Sequence, residues 1–334
     1  MTRLWSAFVA LTSRQEPALG LAIFRIAIGL VMLYSIASMV AAGLVDVLWI
    51  DAADGGMQQL RGNHWLLHAL GGPTAAVMRT LVPVGLLLSL LVAVGAGGRL
   101  TLLAAAQVYA AIVRANPTII GGYDHLITNA LWLLFLGGAS LTLSVDSRLR
   151  CGRWQRSNAT LAAWPRYLAV FQLLVVYTTT GLNKLGVPWT PFGDFSALYW
   201  VYQEPTWRRF DMGFSAEPIP YFLLQVATAL TWFWEVTAIL LLVFFYYRST
   251  SERSGRIRAL VLRRDLRLGF VAVGIVVHTG ILLTLNVGPF SWVSLAYYLC
   301  FFHPNEVIAF GRKLRLGARP SPKAANSRAS RTSV

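Results

Sequence analysis

The chain has 334 residues, of which 56% are hydrophobic and only 13% charged, with a net charge of +15 and a mean hydropathy of +0.57. A water-soluble domain carries about a quarter charged residues, so this composition excludes a soluble globular protein and requires much of the apolar surface to face lipid. The arginines stand between apolar stretches rather than on one patch, which argues against nucleic-acid binding and for membrane orientation.

The N-terminal MTRLWSAFVALTSRQEP has too short an apolar run and no small-residue cleavage pattern for a signal peptide, and residues 1–18 read as an interfacial segment. Eight apolar segments follow, at 19–45, 74–95, 99–113, 123–145, 165–185, 219–247, 268–286 and 290–302. About 20 helical residues cross a hydrocarbon core, so the short third and eighth segments are tilted or partly re-entrant. The predicted fold is an all-α polytopic bundle of about eight spans over residues 19–305. A basic tail, residues 306–334, follows and reads as disordered.

The arginines test this topology separately. The 146–166 segment holds Arg148, Arg150, Arg153, Arg156 and Arg166, the 248–267 segment holds seven more, and the tail adds Arg312, Lys313 and Arg315. With eight spans, all of these share one side with Arg3, Arg14 and Arg99, so the positive-inside rule puts both termini in the cytoplasm of a plasma membrane. The opposite loops, 46–73 and 187–218, are acidic, aromatic and rich in Pro and Gly. Within the second, FGDFSALYWVYQEPTW suits an interfacial helix or a lid over a cavity.

Ionisable groups within apolar spans cost about 2.5 to 3.5 kcal/mol on insertion scales, so each one needs a reason. Arg25 sits about six residues into the first span, where it either snorkels to the cytoplasmic face or pairs with Glu235. Asp124 opens the fourth segment in GGYDHLITNALW, where it caps a helix, and His125 with Asn129 shares one helical face that can point into the bundle. Glu235 and His278 lie near the middle of the sixth and seventh spans, as interhelical hydrogen-bond partners or as walls of a polar pathway. Lys184 ends the fifth segment in YTTTGLNKLGVPW. The chain has three lysines against 26 arginines, and only an amine can lose its proton on desolvation, so Lys184 is either a snorkelling anchor or a base. No His, Cys, Asp and Glu spacing suggests a metal, and Cys151 and Cys300 form no such pattern.

Several stretches together resemble the HTTM family, the membrane domain shared by vitamin K-dependent gamma-glutamyl carboxylase and many bacterial proteins. They are RIAIGLVMLYSI, GGYDHLITNALWLLFL, GLNKLGVPWTPFGDFSALYW, WFWEVTAILLL and HTGILLTLNVGPFSWVSLAYYLCFFHP, spread over residues 19–305. The resemblance implies a reduced quinone of the vitamin K type as cofactor, with Lys184 as the base that deprotonates it and His125 assisting. Asp124, Asn129, Trp189, Glu235 and His278 would line or brace that site. It further implies a bacterial plasma membrane and, as a partner, a secreted peptide or protein substrate. The ALYWVYQEPTW segment also resembles bacterial HTTM proteins that mature a secreted peptide toxin with a soluble partner protein, which makes a non-catalytic maturation subunit the alternative. The carboxylase carries a large extracytoplasmic domain that has no counterpart in this sequence.

Overall fold

The computed structural model describes residues 2–156 and 158–317. Among them the chain is mostly helical. In order, the helices are α1 (Thr2–Thr12), α2 (Leu19–Ala41), α3 (Trp65–Ala69), α4 (Ala75–Val94), α5 (Gly98–Ala115), α6 (Gly122–Gly137), α7 (Val145–Cys151) and α8 (Trp164–Asn183). Then come α9 (Ala197–Gln203), α10 (Pro218–Val236), α11 (Leu241–Ser249), α12 (Arg256–Arg263), α13 (Leu266–Thr284), α14 (Phe290–Tyr298) and α15 (Pro304–Gly317).

By length and composition α2, α4 and α13 can each cross a membrane, and α10 with α11 makes a fourth span if the bent pair is counted as one. Helices occupy the other four apolar segments as well: α5, α6 and α8, and α14 extended by the tight turn Leu299–Phe301. The sixth segment, expected as one continuous span, is instead broken after Val236 with a 46° bend. The tail expected to be disordered begins as a helix, since Glu306 lies in the first turn of α15. The stretch 318–334, with Arg319 and Lys323, falls outside the described residues.

Helix ends follow from local chemistry. Thr74 caps α4 through its hydroxyl, which accepts from the Val77 N–H, and Gly95 and Gly138 end α4 and α6 in the left-handed conformation that glycine adopts without strain. The core is built by close helix approach as much as by large side chains. A Cβ on Gly29 would lie 2.5 Å from the backbone nitrogen of Ala93, so α2 and α4 touch at backbone distance. In lipid, where apolar burial does not drive helices together, such small-residue contacts supply the packing.

One end of the bundle is basic and tied by charge. Arg25, fully buried near the start of α2, donates to the carbonyls of Val92, Ala93, Ala139 and Leu143. It thus satisfies the last carbonyls of α4 and the turn after α6, where a cation also meets the negative ends of the helix dipoles. This corrects both sequence readings of Arg25: its guanidinium neither snorkels out nor meets Glu235, because two helix ends present enough carbonyls to hold it inside. A two-stranded antiparallel ribbon, β1 (Gln15–Pro17) and β2 (Thr160–Ala162), aligns Glu16 with Leu161. Glu16 is buried and takes a bidentate bond from Arg166 of α8, at 2.8 Å for its closest oxygen, while Arg166 also donates to the Cys300 carbonyl. Nothing in the hydrophobic pattern announced this ribbon.

Arg267 of α13 pairs with Asp265 and with Glu306, which also takes Arg248 from the end of α11. Burial alone would push the Glu306 carboxyl up, but the hydrogen bonds from Arg267 and the His303 backbone N–H, with the Arg267 and Arg248 charges, bring it from the ordinary 4.5 down to about 2. A depressed carboxylate contributes stability above its ordinary value and loses it as pH falls through that value toward the folded one. The thermal midpoint of the wild type is therefore expected to fall from pH about 5 to about 2 more steeply than that of Glu306→Gln. Parallel pH curves for the two proteins would show that Glu306 carries none of this coupling.

Candidate functional site

The buried face of α8 runs through Leu173, Leu174, Tyr177 and Gly181, and Lys184 follows Gly181 as the first residue past the helix. A Cβ on Gly181 would lie 2.8 Å from the Val236 nitrogen, so α8 meets α10 at its bend with no side chain between them. That approach sets Lys184 against Glu235, in the last turn of α10. The Lys184 Nζ lies 2.5 Å from Glu235 Oε2, and both side chains are largely buried. The amine also sits 4.3 Å from the centroid of the Trp189 ring, a cation–π distance. The Trp232 indole donates to the Gly181 carbonyl and ties the end of α8 to α10 from the other flank.

One and two turns back along α8, a second polar layer is buried among aromatic rings. The Tyr177 hydroxyl shares hydrogen bonds with His278 Nε2 at 2.7 Å and with the Tyr298 hydroxyl at 2.8 Å. His278 Nδ1 lies 3.4 Å from Ser291 Oγ, and the Tyr177 ring packs on Trp234 at 4.5 Å between centroids. Because Trp234 and Glu235 are adjacent, α8 and α10 both pass from one layer to the next. Four of the residues singled out in the sequence, Lys184, Glu235, Trp189 and His278, thus fall into one region made by α8, α10, α13 and α14.

The residues at the start of α6 do not join that region. Asp124 is buried, accepting from the Gly121 backbone N–H at 2.8 Å and from the Tyr109 hydroxyl at 2.7 Å, which makes it a helix cap with a second partner. With Asp124 turned inward, the next residue faces away. His125, Asn129, Trp132 and Leu136 form the exposed stripe of the helix. His125 and Asn129 share a face as expected, but it is the outward face and not the bundle interior. No hydrogen bond or ion pair joins either to Lys184 among the described residues. No group of three His, Cys, Asp or Glu side chains able to hold a metal forms among the described residues.

Sequence reasoning missed the hydroxyls. Tyr109, Tyr177, Tyr298 and Ser291 carry the buried hydrogen bonds around the charged and imidazole groups, yet each reads in sequence as an aromatic or small residue of an apolar span. A phenol in a membrane-length segment is itself the signal, since its O–H needs a partner away from water.

Against known proteins, the model of the HTTM domain matches residues 13–252. No curated protein and no solved structure matches the chain. The matched stretch contains Lys184, Trp189 and Glu235 and ends before His278 and Tyr298. It covers more than two-thirds of the sequence, and the chain belongs to the HTTM family.

Proposed function

We propose that this protein is a membrane enzyme whose Lys184 amine takes a proton from the acidic hydroxyl of a lipid-soluble substrate of the reduced-quinone class, in the service of modifying a secreted peptide or protein. The basic end of the bundle then faces the cytoplasm and Lys184 lies toward the outer side, as the positive-inside rule directs. The observation that carries this reading is the contact of 2.5 Å between Lys184 and Glu235. An ammonium cannot act as a base, so the amine must release a proton before it takes one from substrate, and the Glu235 carboxylate is the acceptor within reach of it. An arginine could not do this, because its guanidinium stays protonated.

The donor set suits such a substrate. An amine, a carboxylate and the flat face of Trp189 lie together, so a hydroxylated ring can meet hydrogen-bonding groups at its edge and an aromatic wall on its face. A reduced quinone, when bound, supplies the reactivity toward oxygen that the protein side chains lack. The tasks left to this chain are to accept the hydroxyl proton at Lys184 Nζ, to pass the earlier proton to Glu235, and to exclude water with Trp189, Trp232 and Trp234. His125, on the outward stripe of α6, would assist only toward a substrate approaching from lipid.

Lys184→Ala in purified protein reconstituted in lipid is expected to lower oxygen-dependent epoxidation of a reduced naphthoquinone by about 100-fold or more, the usual contribution of a positioned base. Lys184→Arg should be equally inactive. Unchanged turnover in either variant removes Lys184 as the base.

One observation favours a second reading, that of a non-catalytic membrane subunit for maturation of a secreted peptide. The segment between α8 and α10 holds Phe192, Trp200, Trp207, Phe210 and Phe214 all exposed, a row of aromatic anchors suited to an apolar peptide or a soluble partner protein. That reading predicts that alanine at these positions stops peptide maturation while Lys184→Ala leaves it intact.

A further inference from the structure

At the arginine-bearing end of the bundle, a cavity of about 540 Å³ opens between the start of α5, the turn after α6, the end of α7, β2 and the start of α8. Lys184 lies past the far end of α8, about 30 Å away along its 20 residues. Arg99 and Arg150 reach the cavity from separate elements, the first turn of α5 and the last turn of α7. A Cβ on Gly138 would lie 3.2 Å from Arg99 Nη2, and one on Gly98 would lie 3.8 Å from Arg150 Nη2, so each guanidinium spreads over a glycine of the wall. Among the described residues no carboxylate lines the cavity. Asp146, 3.7 Å from Arg150, is buried outside the wall and accepts from the Gly97 N–H. Arg99 makes one long contact of 3.5 Å with the Leu136 carbonyl and no ion pair among the described residues.

The Ser140 and Thr160 hydroxyls and the Trp164 indole also line the cavity, and none of them has a hydrogen-bond partner among the described residues. All of these groups can donate and two are cations. Water does not neutralise two cations gathered without a carboxylate, so the complement is an anion, and the planar fork of arginine fits phosphate. The rest of the wall is apolar and continues onto the outside of the bundle. A Cβ on Gly137 would lie 3.0 Å from Pro165 Cγ, so the last turn of α6 meets the first turn of α8 beside the cavity. From there two apolar rows lead away along the helices, Leu136 and Trp132 on α6, and Trp164, Leu168 and Phe171 on α8. In a membrane both rows face lipid tails.

We infer that this cavity holds the headgroup of an anionic phospholipid. The phosphate takes the Arg99 and Arg150 guanidinium groups, the glycerol and ester oxygens accept from Ser140, Thr160 and Trp164, and the acyl chains lie along the two rows. A basic pocket between helices at the membrane surface is the usual form of such a site. A free phosphate would meet the same arginines but leave the apolar rows uncovered. Arg153 and Arg156 line a separate hollow with a polar wall, which offers charge without a place for the chains.

Native mass spectrometry of the full chain in detergent tests this, with phosphatidylglycerol and phosphatidylcholine of identical acyl chains as probes. The wild type is expected to bind phosphatidylglycerol at least tenfold more tightly, a comparison that depends on no variant. Arg99→Gln with Arg150→Gln should weaken phosphatidylglycerol about tenfold, the effect of losing charge-assisted hydrogen bonds to one phosphate. Arg153→Gln with Arg156→Gln removes the same charge from the same end and should change it less than twofold. Inorganic phosphate at the lipid's concentration should displace none of it. Equal affinity for the two lipids, equal losses in the two double variants, or displacement by inorganic phosphate overturns the assignment, the last by showing a site for a free anion.

Discussion

Arg25→Met is expected to destabilise the protein by about 4 kcal/mol, because it removes a charged donor that serves four carbonyls at once, three buried and one part-buried. Hydrogen bonds to charged groups contribute about 1.5–3 kcal/mol each, and the loss is less than their sum because the methionine chain refills part of the space. The carbonyls left behind sit at the end of α4 and in the turn after α6, where protein packed around Arg25 keeps water from replacing the guanidinium. Arg25→Lys should recover only part of the loss, since one ammonium presents three donors from a point and cannot span both helix ends. Thermal unfolding in detergent reads this directly. A midpoint for Arg25→Met within a degree or two of wild type would mean that these carbonyls find other partners.

The second large effect concerns Lys184 and Glu235. Removing one member of a buried ion pair strands the other charge and costs about 3–5 kcal/mol, whereas replacing both with apolar residues of similar volume is often neutral. Glu235→Ala is therefore expected to be markedly less stable than wild type, and the double variant Lys184→Met with Glu235→Leu should regain most of the loss. Turnover separates stability from chemistry here, because both altered proteins lack the pair and should be inactive although only Glu235→Ala is unstable. Additive losses in the double variant would show that the two side chains do not interact.

Much of the architecture was legible because membrane helices announce themselves by length and apolarity. Helices occupy all eight apolar segments, and among the arginines of the basic segments Arg166, Arg248 and Arg267 are held by the carboxylates Glu16, Asp265 and Glu306. The break after Val236 was not legible, since the apolar run continues through Thr237 and no proline or glycine marks it; the close contact of Gly181 with Val236 does so only in three dimensions. The ribbon of β1 and β2 escaped for a similar reason, being three residues long on each side and held by the buried pairing of Glu16 with Arg166.

The candidate site was legible in its charged members and not in their grouping. Lys184 and Glu235 stood out as an amine and a carboxylate in apolar spans, Trp189 came with the family resemblance, and the three prove to be neighbours. His125 and Asp124 are adjacent in sequence, yet a helix turns successive residues by about 100°, so the inward turn of Asp124 sends His125 outward. The phenols of Tyr177 and Tyr298 were overlooked because their rings count as apolar, although their hydroxyls organise the interior around His278.

The measurement that bears most directly on the proposed chemistry is an experimental structure of the protein with a reduced naphthoquinone bound. A hydroxyl of the ring within hydrogen-bond reach of Lys184 Nζ, with Trp189 against the ring face, is the expected result. A ring found only elsewhere, with the Lys184 and Glu235 pair closed and untouched, would contradict it.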